Sequence, residues 1–222
     1  MVKIEGAVFD LDGTLIDSLF FWDRLWEKLG AKYLDDPTFR PGLDMEKAVR
    51  TVTFRDASEM LYERFGFGDA EEIYDLMHDF CIEIYRDEAT FKPGAKELLD
   101  TLKARGVKMC IASASMPDLL RAIFDRFGFD DYFPKIISCA DIGKGKSHPD
   151  VFLAAEAYMG TAHDATWVFE DSIVALETAS KAGFKTVGVY DRHNFDIDRV
   201  PDVSTEYIGE GDSLARLIER IR

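Results

Sequence analysis

The chain has 222 residues, 47% of them hydrophobic, enough for one large α/β domain or a core with a smaller second domain. A formal net charge of −15 excludes the basic face that nucleic acid or an anionic membrane surface requires. No apolar run approaches the ~20 residues of a membrane span, and the start, with Lys3 and Glu5, is unlike a signal peptide. The three cysteines, Cys81, Cys110 and Cys139, lie far apart in apolar stretches and read as reduced, buried thiols of a cytoplasmic protein. The four histidines show no zinc-ligand spacing.

The segment from Ile4 to Phe9 is mostly small and apolar, as in a buried strand of a parallel sheet. It runs into Asp10-Leu11-Asp12-Gly13-Thr14. Side chains two apart on extended backbone point the same way, so Asp10 and Asp12 are expected to share one space at the carboxyl edge of the sheet, joined by a cation. Gly13 permits the sharp turn that follows. Leu19 to Leu29 carries apolar residues at helical spacing, with Gly30 as the expected stop. Residues 31–43, with Pro37, Pro41 and Gly42, read as a loop. Residues 44–54 and 56–65 read as short helices, and Asp69 caps a longer one running to about Arg86. No strand is expected between residues 17 and 90.

From Lys92-Pro93-Gly94 onward the two periodicities alternate. Strands are expected at 107–112, 135–139, 166–169, 185–189 and near Tyr207-Ile208. Helices are expected at 94–104, 117–127, 149–158, 173–182 and 212–221. This predicts an α/β fold, a parallel sheet with helices on both faces, interrupted by an all-helical insertion. The expected division is a core of residues 1–16 and 91–222 and an inserted domain of residues 17–90, with linkers near 14–18 and 88–93. The acidic stretch Asp191 to Asp202 reads as a solvated loop rather than a second metal site.

The chemistry gathers at strand ends. The first strand ends in Asp10 and Asp12, the second in Ser113-Ala114-Ser115. The third is followed by Gly143-Lys144-Gly145-Lys146 and the fourth by Glu170-Asp171-Ser172. In a parallel sheet these ends share one edge. Carboxylates there bind a hard cation, while a hydroxyl, free backbone N–H groups and a lysine suit phosphate oxygens. Singly, each has a plainer reading: Ser113 as a helix cap, the lysines as a solvated loop, Glu170-Asp171 as charges favoured by a helix dipole. Four such coincidences in order, all at strand ends, argue against the plainer readings together. A carboxylate nucleophile beside a metal and a lysine is equipment for phosphoryl transfer through an aspartyl-phosphate. Gly145-Lys146-Ser147 also matches the tail of a P-loop, but Ala140 stands where that motif needs its first glycine.

The set resembles the haloacid dehalogenase superfamily over essentially the whole chain. Asp10 to Thr14 matches its Asp-x-Asp-Gly-Thr motif, Ser113 its hydroxyl after a strand, and Glu170-Asp171-Ser172 its last motif. Lys146-Ser147-His148-Pro149-Asp150-Val151-Phe152 matches the lysine motif, with Ser147 in place of a usual proline. Pro149, Asp150 and Phe152 fit that pattern when Lys146, rather than Lys144, is the working lysine. The resemblance implies a Rossmann-like core and a helical cap. It implies Asp10 as nucleophile and Asp12 as general acid and base. Mg²⁺ would be held by Asp10, the Asp12 carbonyl, Glu170 and Asp171, and phosphate by Ser113, the Ala114 N–H and Lys146. The implied activity is hydrolysis of a small phosphorylated metabolite, such as a sugar phosphate.

Residues 107–115 look like the β-phosphoglucomutase branch, so a mutase is the first alternative. Its cap histidine and arginine would fall near Trp22 and Met45, and neither residue type is present. A dehalogenase needs no second carboxylate and no metal. A phospho-acceptor signalling domain uses an aspartate, a hydroxyl and a lysine, but is about half this length.

Overall fold

The apolar runs become the centre of a parallel sheet because each is buried on both faces. The computed structural model describes residues 3–221. Eight strands are present among them: β1 (Gly6–Phe9), β2 (Ile16–Asp17), β3 (Thr90–Phe91), β4 (Lys108–Ser113), β5 (Ile136–Ser138), β6 (Thr166–Glu170), β7 (Lys185–Val189) and β8 (Glu206–Ile208). Six form one sheet in the order β5-β4-β1-β6-β7-β8, with every pairing parallel. Side chains alternate across it. Val8, Cys110 and Val168 face Val151, Phe152 and Ala155 in one buried cluster. On the opposite side, Phe9 stacks on Phe169 at 4.2 Å and meets Phe133 edge-on at 5.9 Å.

Contacts divide the chain into two units, one running to Ser18 and resuming at Ala89, the other Leu19–Glu88. The second holds α1 (Phe20–Leu34), α2 (Leu43–Val49), α3 (Phe54–Phe65) and α4 (Ala70–Glu83). Thr53 and Asp69 cap α3 and α4, their side chains accepting from the N–H groups of Asp56 and Glu72. Phe21, Trp22 and Trp26 are buried in this unit's own core, where Phe21 and Trp22 both pack on Phe54. The first unit adds α5 (Ala95–Ala104), α6 (Pro117–Phe127), α7 (Cys139–Ile142), α8 (Asp150–Met159), α9 (Ile173–Lys181) and α10 (Val200–Val203). All three cysteines are free and buried. No helix among the described residues is long and apolar enough to cross a membrane.

Several elements depart from the sequence expectations. Gly30 does not stop α1: it lies buried inside the helix, where an added Cβ would collide with the Asp36 carbonyl and Phe39. The helix ends instead at Asp35, in the left-handed conformation with φ 55°. The expected helix at 212–221 is a 3₁₀ segment, Leu214–Glu219. Its two buried residues, Leu214 and Leu217, are three apart, the spacing that a 3₁₀ turn brings onto one face. Finally, the two expected linkers are partly strand: β2 and β3 pair antiparallel, Ile16 with Phe91 and Asp17 with Thr90.

His163 ties α8 to the turn after α9. Its Nδ1 lies 3.0 Å from a Glu156 carboxylate oxygen and its Nε2 lies 3.1 Å from the Ala182 carbonyl. Both partners only accept, so the imidazolium alone donates to both. The Glu156 hydrogen bond raises its pKa above the ordinary 6.5, against the opposing effect of burial. A raised folded pKa gives stability that is full below the unfolded value and is lost as pH rises through the folded one. His163→Gln should therefore lower the Tm at about pH 6 and lose that effect by about pH 9, measured by calorimetry across the range.

Candidate active site

Register brings the motifs together. Phe9 pairs with Ile111 on one side and Phe169 on the other, so Asp10 emerges beside the ends of β4 and β6. The Asp10 N–H donates to the Phe169 carbonyl at 3.0 Å, carrying the ladder one residue past the strand. The chain visits β4 and β5 on one side of β1 before crossing to β6 on the other. This is the switch point at which open α/β sheets bind ligands. Beyond it the backbone turns sharply. Gly13 has φ 80°, which a side chain would strain, and the Leu11 carbonyl accepts from the N–H groups of Thr14, Leu15 and Ile16.

Asp10, Glu170 and Asp171 each present a carboxylate oxygen within 4.8 Å of the others. Lys146 reaches between them, donating to Asp10 Oδ1 and, at 2.6 Å, to Glu170 Oε1. Glu170 Oε2 accepts the N–H groups of Asp171 and Ser172 at 3.0 and 2.9 Å. Lys144 instead pairs with Asp150 on the surface. Geometry thus resolves which of the two lysines joins the carboxylates.

One ammonium cannot balance three carboxylates. Burial pushes the Asp10 carboxyl up to about 7, Lys146 opposing and the Glu170 and Asp12 charges adding. Burial likewise raises Asp171 well above the usual carboxylate range, with Glu170, Asp10 and Asp191 adding to it. Burial acts downward on Lys146, but the Asp10 and Glu170 charges outweigh it and hold the ammonium protonated. Hard oxygen donors that, once ionised, carry two more negative charges than the lysine balances fit Mg²⁺.

The Asp12 carboxylate is not one of the three that gather, though its charge still acts on Asp10. Asp12 Oδ1 accepts from the Ser18 hydroxyl at 2.7 Å and Oδ2 from the Ser115 hydroxyl at 3.0 Å. Ser113 is buried at the end of β4, and its Oγ accepts the Ser115 N–H at 3.0 Å. It does not cap α6, whose N-cap residue is Met116. Ala114 is exposed beside it.

Three contributors were given no role by the sequence reading, Thr14 having entered only as part of the first motif. Thr14 Oγ1 donates to Asp171 Oδ1 at 3.0 Å, and Asn194 Nδ2 donates to Asp171 Oδ2 at 2.7 Å. Asp191, expected in a solvated loop, is buried and paired with Lys92 at 2.6 Å. The rest of the acidic stretch, Asp196, Asp198 and Asp202, is exposed as expected. The Asn194 side chain reaches across from the end of a different strand, and no local spacing announces that contact.

A family model described as haloacid dehalogenase-like hydrolase matches residues 4–183. The chain belongs to the haloacid dehalogenase-like hydrolases. Among curated relatives, a phosphorylated carbohydrates phosphatase of Thermotoga maritima is 23% identical, the match covering 83% of this chain and 84% of the relative. The β-phosphoglucomutase of Bacillus subtilis is 29% identical, over 84% and 83% of the two chains. In fold, the hydrolase is similar to the crystal structure of CbbY from Rhodobacter sphaeroides in complex with phosphate. That likeness has a TM-score of 0.76 at 18% identity and covers 96% of each chain.

The two lysines of this haloacid dehalogenase-like hydrolase should separate by mutation, because they pair differently. Lys146→Ala should cut hydrolysis of p-nitrophenyl phosphate by at least about 10²-fold, the scale of losing one charge-stabilising donor. Lys144→Ala should stay within about twofold, because an exposed pair contributes little. Steady-state kinetics on the two purified variants checks both.

Proposed function

We propose that the protein is a Mg²⁺-dependent phosphatase of a small phosphorylated metabolite, working through an aspartyl-phosphate on Asp10. The observation that carries this reading is the trio of Asp10, Glu170 and Asp171, the first half-buried and the others buried, with Lys146 between the first two. The names of relatives that act on phosphorylated carbohydrates support the substrate class. Asp10, Glu170 and Asp171 would hold the ion, with the Asp12 carbonyl as a further ligand. Mg²⁺, when bound, supplies positive charge that offsets the repulsion between a carboxylate nucleophile and a phosphate.

The residues then divide the work. Lys146, the Ser113 hydroxyl and the Ala114 N–H hold the phosphate oxygens. An Asp10 carboxylate oxygen attacks phosphorus, and the bond from phosphorus to the substrate oxygen breaks. Asp12, carrying a proton, gives it to that leaving oxygen. The resulting Asp12 carboxylate takes a proton from water, which attacks phosphorus and frees Asp10 with release of inorganic phosphate. The second half returns the proton to Asp12, so the cycle balances. Ser18 and Ser115 fix the side chain that moves the proton.

A proton and a metal compete for Asp10. With its carboxyl raised to about 7 in the metal-free protein, Mg²⁺ affinity should hold steady above that pH. It should fall by at least about tenfold per pH unit below it, as the Asp10 proton must leave for each ion bound and Asp171, also raised by burial, adds to the loss. Calorimetric titration of Mg²⁺ at several pH values tests this; an affinity unchanged down to about pH 5 would remove Asp10 from the ligand set.

Asp10→Asn should abolish turnover, and Asp12→Asn should reduce it by about 10²–10⁴-fold, the range of general acid–base assistance. An aryl phosphate needs little leaving-group protonation, so the Asp12 variant should accumulate phosphate on Asp10 in rapid-quench trapping. Trapped phosphate on another residue contradicts the mechanism. Scoring both inorganic phosphate and isomerised sugar phosphate as products separates a phosphatase from a mutase.

A further inference from the structure

Within the carboxylate cluster, Asp171 is held differently from its neighbours. Lys146 bonds Asp10 and Glu170. Asp171 is clamped by two uncharged donors, the Thr14 hydroxyl at Oδ1 and the Asn194 amide at Oδ2. A donor on each oxygen fixes the rotation of the carboxylate while leaving its charge intact. A lysine at the Asn194 position would orient it too, but would cancel the charge that attracts a cation.

Asn194 is itself rigidly placed. Its Oδ1 accepts the Phe195 N–H at 2.8 Å, so the amide can turn only its nitrogen toward Asp171. Its backbone N–H donates to the Asp191 carbonyl at 3.1 Å. Asp191 is 2% exposed, and its Oδ1 accepts the His193 N–H at 2.8 Å. Lys92 Nζ bonds Asp191 Oδ2 at 2.6 Å and the Tyr190 carbonyl at 3.2 Å. The Lys92 N–H donates to the Leu15 carbonyl at 2.9 Å, anchoring the lysine just past β3. A buried ion pair is a poor source of net stability but a strict setter of geometry. Here it sets the loop that delivers the amide.

We propose that Asn194 is a positioning residue for Mg²⁺ binding, acting through the Asp171 carboxylate; the proposal rests on the reading of Asp171 as a metal ligand. Partners that orient a metal ligand typically govern affinity by about 10–100-fold. The neighbouring Lys92–Asp191 pair belongs to the loop's support, and Asn194 is the residue of that loop whose side chain bonds the ligand.

The test uses Mg²⁺ alone with the full chain. Metal-free wild type, Asn194→Ala, Asn194→Leu and Asp171→Ala are titrated with MgCl₂, reading heat and the rise in Tm. The Leu variant keeps the side-chain volume should the Ala variant fail to fold. Both Asn194 variants should bind Mg²⁺ about 10–100-fold more weakly, and Asp171→Ala should lose binding. A merely structural role for Asn194 would lower Tm in EDTA without moving the Mg²⁺ affinity. Asn194 variants within about twofold of wild type, beside a defective Asp171→Ala, would overturn the inference and leave the metal reading standing. Wild-type affinity in Asp171→Ala would overturn both.

Discussion

One ammonium group makes the edge of the sheet possible. Three carboxylates taken out of water in one place would each cost several kcal/mol, in the range of about 3–5 kcal/mol for a buried charge that loses its partner. Lys146 offsets that cost by bridging Asp10 and Glu170. It arrives there because α7 ends at Gly143 in the left-handed conformation and the chain turns back toward the sheet. The same bridge leaves the cluster short of positive charge. That imbalance, rather than any single residue, is what suits the edge to the divalent cation proposed for it.

The local packing of the sheet transmits this arrangement. Phe9 and Phe169 stack directly beneath the residues that carry the cluster, so the separation of Asp10 from Glu170 is set by core packing as much as by electrostatics. The motif aspartates act differently for a backbone reason. Asp10 continues the strand, whereas Asp12 lies at the turn and is taken up by Ser18 and Ser115.

The strand-end motifs were legible because two independent signals agreed. Apolar runs at 107–112 and 166–169 gave the strands, and polar residues broke each run at the same end. The family pattern around Pro149, Asp150 and Phe152 selected Lys146, and the structure pairs Lys144 elsewhere. Contacts between distant segments were not legible. Nothing in the spacing of Asp191 or Asn194 announces Lys92 or Asp171, because these pairings depend on how β3, β6 and β7 are ordered in space. Gly30 misled for a different reason: a glycine that ends a helix and a glycine that admits a close neighbour look alike in sequence. The 3₁₀ segment at Leu214–Glu219 misled because a few apolar residues cannot distinguish a period of 3.0 from one of 3.6. Strands of two residues, such as β2 and β3, carry no period at all.

That short ribbon has a consequence for how this chain could have been assembled. Asp17 and Thr90 face each other as a strand pair, so the chain leaves and re-enters the first unit at positions only about 5 Å apart. Everything from Leu19 to Glu88 hangs from what is, in backbone terms, a hairpin. A tight turn of a few residues would close the same two strands without changing the register of the parallel sheet. The helical segment is therefore an exchangeable module. Recombination at this one junction would exchange it for another insert, of different size or shape, without touching the strand ends that carry Asp10, Glu170 and Asp171.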